Sequence, residues 1–271
     1  MKDKMDTEGR LGTLMGNYPY MEQKLLNYTW LDRIEGLAPI YAIDRHRLAT
    51  DGKGVTTLVA FHKCLLKCKY CINPQTWQID KISKKMTAKE LYDEVKKDNL
   101  YFLATGGGIT FGGGEPCLHS DFIKQFKEIC NPKWKLTIET SLCVESNHIK
   151  RLLSIIDYWI IDIKDMDKDC YKLYTGNDNS LVIKNLKYLL TKGKRDQMLV
   201  RVPHIPNFNT DRDIENSIKQ LKVLGVKNIE CFTYEIFPHK HSHLDKRQLL
   251  GVPAVTSRKP INNDNDNTLP F

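Results

Sequence analysis

KLTIETSLCVESNHIKRLLSIIDYWIIDIK, residues 135–164, reads as strand, helix, strand: KLTIET (135–140) and YWIIDIK (from 158) are β-like runs, and residues 145–155 are helix-like. Strands alternating with helices imply right-handed crossovers and a parallel sheet. The unit repeats outward in both directions. Toward the amino terminus lie a β-like run at 55–61 and a helix opening at Thr87, where TAKE has the form of a capping box, and running to about residue 97. A strand follows from Gly108 (GITFGGG), then a helix with Ser120 as its cap (DFIKQFKEI). Toward the carboxyl terminus come a helix at 181–190, a strand from Met198 (MLVRVPHI), a helix at 211–224 and a strand from Asn228 (NIECFTYEI). Six such units are too few to close an eight-stranded barrel. The expected fold class is therefore α/β, a partial (βα)6 TIM-like barrel with parallel strands. Residues 51–245 form that barrel, residues 1–50 an irregular extension and residues 246–271 a polar tail. From about Ser257 the tail (SRKPINNDNDNTLPF) is too polar to offset its ordering entropy, so disorder is expected there.

At 271 residues the chain suits one large domain, and 41% hydrophobic with 27% charged residues is an ordinary globular composition. No apolar run reaches membrane-spanning length, and the opening MKDKMDTEGR lacks the apolar stretch of a secretory signal, so no membrane association and a cytoplasmic location are expected. The net charge of +8 is spread over many helix-like segments as a solvated surface, and no aromatic-basic signature points to nucleic acid. Of eight cysteines, Cys117, Cys130, Cys143, Cys170 and Cys231 are scattered singly, and most of them read as small buried hydrophobes. The other three are clustered.

KCLLKCKYCINPQTW, residues 63–77, spaces Cys64, Cys68 and Cys71 as CxxxCxxC and supplies no fourth cysteine. A structural zinc site wants four ligands, and His62, two residues ahead of Cys64, is the nearest candidate for the fourth. A cubane [4Fe-4S] cluster takes one thiolate per iron, so three cysteines leave one iron open to a small molecule that chelates through an amine and a carboxylate. Tyr70, just before Cys71, can shield one side of such a cluster from water.

With its aromatic residue before the last cysteine, this motif resembles the signature of the radical S-adenosylmethionine superfamily. DGKGVTT from Asp51, TGGGITFGGGEP from Thr105 and DIK from Asp162 narrow the resemblance to the activating enzymes of glycyl-radical enzymes, over residues 42–240. The resemblance implies one [4Fe-4S] cluster on Cys64, Cys68 and Cys71, and S-adenosylmethionine bound by Gly113, Gly114, Glu115, Glu139, Ser141, Asp162, Lys164 and Arg201. Asp51 matches an aspartate that lies near the target backbone. At Glu139 and Ser141 the family usually has Asp and Asn, Lys53 replaces a proline, and Glu235 stands where a histidine often follows the tyrosine of the sixth strand. No second CxxC pair lies between Cys71 and Gly112, which implies a single cluster. HKHSH at 239–243 reads as a polar surface turn.

The implied chemistry is reductive cleavage of S-adenosylmethionine to methionine and a 5′-deoxyadenosyl radical, used to install a glycyl radical on a partner enzyme. A flavodoxin or ferredoxin supplies the electron, and the chain is expected to be a monomer. Two other readings stay open on sequence alone: a radical enzyme that modifies a peptide or small metabolite directly, and a non-enzymatic zinc or iron-sulfur interaction module.

Overall fold

The computed structural model describes residues 36–48, 51–78, 84–236 and 255–260. Strands β1 (Leu37–Leu48), β2 (Val55–Phe61), β3 (Lys85–Thr87), β4 (Gly108–Gly113), β5 (Lys135–Thr140), β6 (Tyr158–Asp162), β7 (Met198–His204), β8 (Ile229–Ile236) and β9 (Val255–Pro260) make one open sheet in the order β3-β1-β2-β4-β5-β6-β7-β8-β9. The six strands expected from the sequence, β2 and β4 to β8, run parallel and neighbour one another in chain order. This is the expected partial barrel. Its central strand β6 (YWIID) is buried at all but its first position, as suits a strand covered on both faces.

The flanks correct the sequence reading. The extension expected to be irregular carries β1, which pairs antiparallel with β2 from Ile40↔Phe61 to Leu48↔Val55 and also holds β3. Its outer half, with Asp44, Arg45 and Arg47, reads as polar and irregular because register shifts at Ile40/Ala42 and Asp44/Arg47 break the two-residue period. At the far edge, where disorder was expected from Ser257, β9 pairs antiparallel with β8. Ladder bonds are made by the backbone, and an open edge strand offers unpaired N–H and C=O groups whatever the partner's composition. The remaining tail, the first 35 residues and the histidines at 239–243 lie outside the described residues.

Seven helices among the described residues carry the crossovers: α1 (Ala88–Val95), α2 (Asn99–Thr105), α3 (Ser120–Ile129), α4 (Ser146–Leu152), α5 (Lys168–Thr175), α6 (Ser180–Thr191) and α7 (Asp211–Leu224). Thr87 and Glu90 form the expected capping box on α1. Helix α3 starts at Ser120 without a side-chain cap, because the Ser120 hydroxyl is bonded to His148 and Arg151 instead. Helix α5 escaped the sequence reading, although Asp167, accepting from the Asp169 and Cys170 amides, and left-handed Gly176 are an ordinary start and stop. One continuous core built on Trp134, Trp159, Phe61, Phe102, Phe111 and Phe126 lies between sheet and helices. Each such ring buried stabilises the fold by roughly 1.5–3 kcal/mol. A smaller aromatic cluster, Tyr70, Tyr174, Ile205, Phe232 and Tyr234, sits apart from it.

Candidate active site

Loops leaving the carboxyl ends of the parallel strands converge on one cavity of about 660 Å³. In an α/β barrel this rim is where loop side chains meet without disturbing the sheet below. Beyond β2, Lys63 takes a left-handed conformation (φ 75°) and turns the chain into the cysteine loop. The loop is pinned on two sides. Lys63 donates its N–H to the Thr76 carbonyl (2.8 Å) and accepts at its own carbonyl from Glu115 N–H (2.6 Å), while Lys67 and Lys69 N–H donate to the carbonyls of Thr175 and Tyr174 at the end of α5 (2.9 and 3.1 Å). Cys64, Cys68 and Cys71 are all free thiols, half-buried, and all line the cavity. Burial pushes the three thiols up, Cys68 to about 12, so they need a bound cation to be held as thiolates.

At the end of β4, Gly113 (φ 93°) and Gly114 line the cavity beside the cysteines. A Cβ on Gly114 would lie 2.1 Å from the Lys63 carbonyl oxygen, and one on Gly113 2.8 Å from Phe61 N, so the glycines let this turn pack against the protein's own cysteine loop. Glu115 turns away from the cavity. It is 1% exposed, and its carboxylate accepts from Thr140 Oγ1 (2.6 Å), Cys117 N (3.1 Å), Ser141 N (3.0 Å) and Ser141 Oγ (2.6 Å). All four acceptor directions of the carboxylate are thus filled by protein, and Ser141 itself still borders the cavity.

Charged groups complete the wall. Lys164 Nζ lies 2.8 Å from Asp162 Oδ2 and 3.3 Å from the Tyr234 hydroxyl. Burial opposes its charge, yet Asp162, Tyr234 and Cys68 together outweigh that and hold the ammonium protonated well above its usual range. Arg201, 7% exposed, donates from Nε to Glu230 (2.7 Å) and from Nη1 to Glu139 (3.0 Å), tying β5, β7 and β8 across the barrel. Asp51, 5% exposed, is bonded to both Nε and Nη2 of Arg47, which also bonds Asp44. Among the described residues, no three His, Cys, Asp or Glu side chains gather around a point that would hold a single metal ion. His62 lies edge-on to Tyr41 at 5.5 Å.

The cavity therefore brings together every site residue singled out from the sequence except Glu115, which stands behind it. Arg47, Glu230, Tyr174 and Tyr234 also line it and were not assigned there. None sits in a motif, but Glu230 and Tyr234 share the inward-facing parity of β8, which a strand-end rule applied to NIECFTYEI would have found.

A family model described as "Radical SAM superfamily" matches residues 58–221. The chain is 33% identical over 211 residues to the pyruvate formate-lyase-activating enzyme of Staphylococcus epidermidis (strain ATCC 12228 / FDA PCI 1200), covering 75% of this chain and 82% of that one. It is 30% identical over 209 residues to the protein of the same name from Staphylococcus aureus (strain USA300), with 74% and 81% covered. Among solved structures it resembles Streptococcus suis SuiB bound to the precursor peptide SuiA (TM-score 0.51, 16% identity, 66% of this chain and 38% of that one). The same protein bound to S-adenosylmethionine gives a TM-score of 0.50 at 17% identity, over 71% of this chain and 46% of that one. The chain spans less than half of these solved structures, and at such identities the likeness is one of fold.

Proposed function

Because the chain belongs to the radical SAM superfamily, we propose that it activates a partner enzyme by removing a hydrogen atom from one of that partner's backbone glycines, in keeping with the name its staphylococcal relatives carry. Its cofactors are a [4Fe-4S] cluster on three cysteines and S-adenosylmethionine. The observation that carries the reading is the three free thiols of one loop spread along the wall of a cavity whose next wall is Gly113–Gly114. The donor set fits the cluster: among the described residues the three sulfurs gather around no single-ion point, which suits a larger inorganic body, and the buried Tyr174 hydroxyl on the same wall has no hydrogen-bond partner.

When bound, the cluster and S-adenosylmethionine supply one-electron cleavage of the sulfonium, giving methionine and the species that takes the glycine hydrogen. The chain's own residues do the rest. Cys64, Cys68 and Cys71 hold the cluster through their sulfurs, while Gly113, Gly114, Ser141 and the protonated Lys164 beside Asp162 bind the amino-acid end of the nucleotide. Glu139 and Arg201 face its remaining polar groups. Glu115 acts through the turn it anchors, by fixing Thr140 and Ser141. Tyr70, Tyr174 and Phe232 keep water from the cluster side, and Asp51, oriented by Arg47, meets the partner's backbone.

The reading includes a flavodoxin or ferredoxin as electron donor, a monomeric chain and a cytoplasmic setting; among the described residues no helix is long and apolar enough to cross a membrane. The test is anaerobic. Purified protein should carry about four irons per chain, and, reduced and mixed with S-adenosylmethionine and a co-encoded candidate partner, should give the doublet of a glycyl radical by electron paramagnetic resonance. A loaded enzyme that cleaves S-adenosylmethionine yet leaves every such partner without that doublet would overturn the activation reading.

A further inference from the structure

Helix α5 carries two tyrosines three residues apart, Tyr171 and Tyr174, and that spacing puts them on one helix face. They are 0% and 1% exposed, and neither hydroxyl has a hydrogen-bond partner among the described residues. Buried hydroxyls are almost always satisfied, so two orphans on one face of one helix point to an acceptor that protein atoms do not supply. Both rings lie in the field of the cysteine loop. Tyr174 lines the cavity beside the three cysteines; Tyr171 interacts electrostatically with Cys143 first and then with Cys68 and Cys64, and Tyr174 with Tyr234 first and then with Cys68 and Cys71. Lys164, near both, is a donor only and cannot take their protons. A phenol is an O–H donor at neutral pH. The helix is also fixed to the loop, since the Tyr174 and Thr175 carbonyls accept from Lys69 and Lys67. The Tyr174 ring is wedged against Phe208 at 5.2 Å and Tyr70 at 6.3 Å.

A thiol sulfur is a weak acceptor, but a metal-bound thiolate or sulfide carries negative charge and is a good one. We propose that Tyr171 and Tyr174 donate hydrogen bonds to sulfur atoms of the [4Fe-4S] cluster, cysteine thiolate or inorganic sulfide, and so hold its reduction potential up. This rests on the cluster reading above. Hydrogen bonds to cluster sulfurs favour the form with the extra electron, so each phenol makes the cluster easier to reduce. Neither residue takes part in the hydrogen transfer; they set the potential at which the donor's electron is accepted.

Tyr171→Phe, Tyr174→Phe and the double variant remove only the hydroxyls. Each would be reconstituted anaerobically beside the wild-type chain, its iron counted, and the midpoint potential of the cluster read by a redox titration followed by electron paramagnetic resonance, with no substrate present. The expected result is a cubane in every sample, a more negative potential in each single variant and a further drop in the double. Transfer of the wild-type enzyme to D2O should shift the Fe–S stretching bands in resonance Raman, and less so in the variants. Potentials equal to wild type in all three variants would overturn the proposal, as would failure of both single variants to load a cluster, which would make the tyrosines structural. A wild-type preparation without a cubane would instead remove the cluster reading itself, and the two failures are thereby told apart.

Discussion

Glu115 shows how one side chain can serve a site without facing it. Four donors converge on its carboxylate in the buried layer between β4 and β5. Glu115→Gln swaps one acceptor oxygen for an NH2 that faces donors, so folding stability should fall by about 3 kcal/mol, against about 1 kcal/mol for Ser141→Ala, in urea titrations. Equal losses for the two would contradict the inward role. His119 offers a second test. It is half-buried, stacks on Phe61 at 4.7 Å and bonds the His62 carbonyl oxygen through Nε2 at 3.0 Å. Burial lowers its pKa to about 3. The unfolded chain takes up this proton near pH 6.5 and the folded one does not, so its contribution is complete above pH 6.5 and is lost as pH falls toward 3. Between pH 6 and 4 the wild-type chain should lose up to about 1.4 kcal/mol per pH unit more than a His119→Phe variant; parallel pH profiles would rule this out. Legibility follows the same division at this scale. The cysteines, Gly113 and Lys164 were readable because each lies at or just past a strand end in a recognisable motif, and Arg201 because it matches a family arginine within β7. Arg47, Tyr171 and Tyr174 were not: Arg47 lies where a register shift breaks the alternation of β1, and the tyrosines are marked only by hydroxyls that lack a partner among the described residues.

Among the elements, the join between β4 and the cysteine loop is the tightest. With a Cβ due 2.1 Å from a backbone oxygen that is itself hydrogen-bonded, Gly114→Ala must separate the turn from Lys63. Iron content after anaerobic reconstitution should drop well below that of the wild-type chain, although Gly114 ligates nothing; full loading would show that the junction tolerates the shift. Helices α1 and α7 were legible because their start signals are local: Thr87 with Glu90, and Thr210 with Asp213, each satisfy two otherwise free N–H groups within one turn. Thr210→Ala should cost about 1 kcal/mol in thermal or urea unfolding. Ser120 looks alike in sequence and does something else, because its hydroxyl found His148 and Arg151 across the α3–α4 contact. Strand β1 was missed for the complementary reason: its pairing with β2 changes register twice, so no simple alternation survives in LAPIYAIDRHRL.

For the whole molecule, Arg201 is the cross-brace, joining Glu139 of β5 to Glu230 of β8 through its own strand β7. Arg201→Met leaves two carboxylates facing one another. The expected cost is about 2 kcal/mol, less than for a fully buried pair because the Glu230 side chain is 43% exposed. Glu230→Gln in the Arg201→Met background should restore part of that stability, and a strictly additive double variant would refute the coupling. By itself the sequence determined the parallel order of the six strands, the place of the rim and the three cysteines that line it. Periodicity, caps and motif spacing are written over a few residues, and crossover handedness leaves few ways to assemble them. Only the tertiary structure decided which side chains face the cavity, that Glu115 points inward, that antiparallel strands cover both edges of the sheet and that α5, with its two buried phenols, is hydrogen-bonded to the cysteine loop. Those outcomes depend on packing and hydrogen bonds between segments far apart in the chain, which no local pattern encodes.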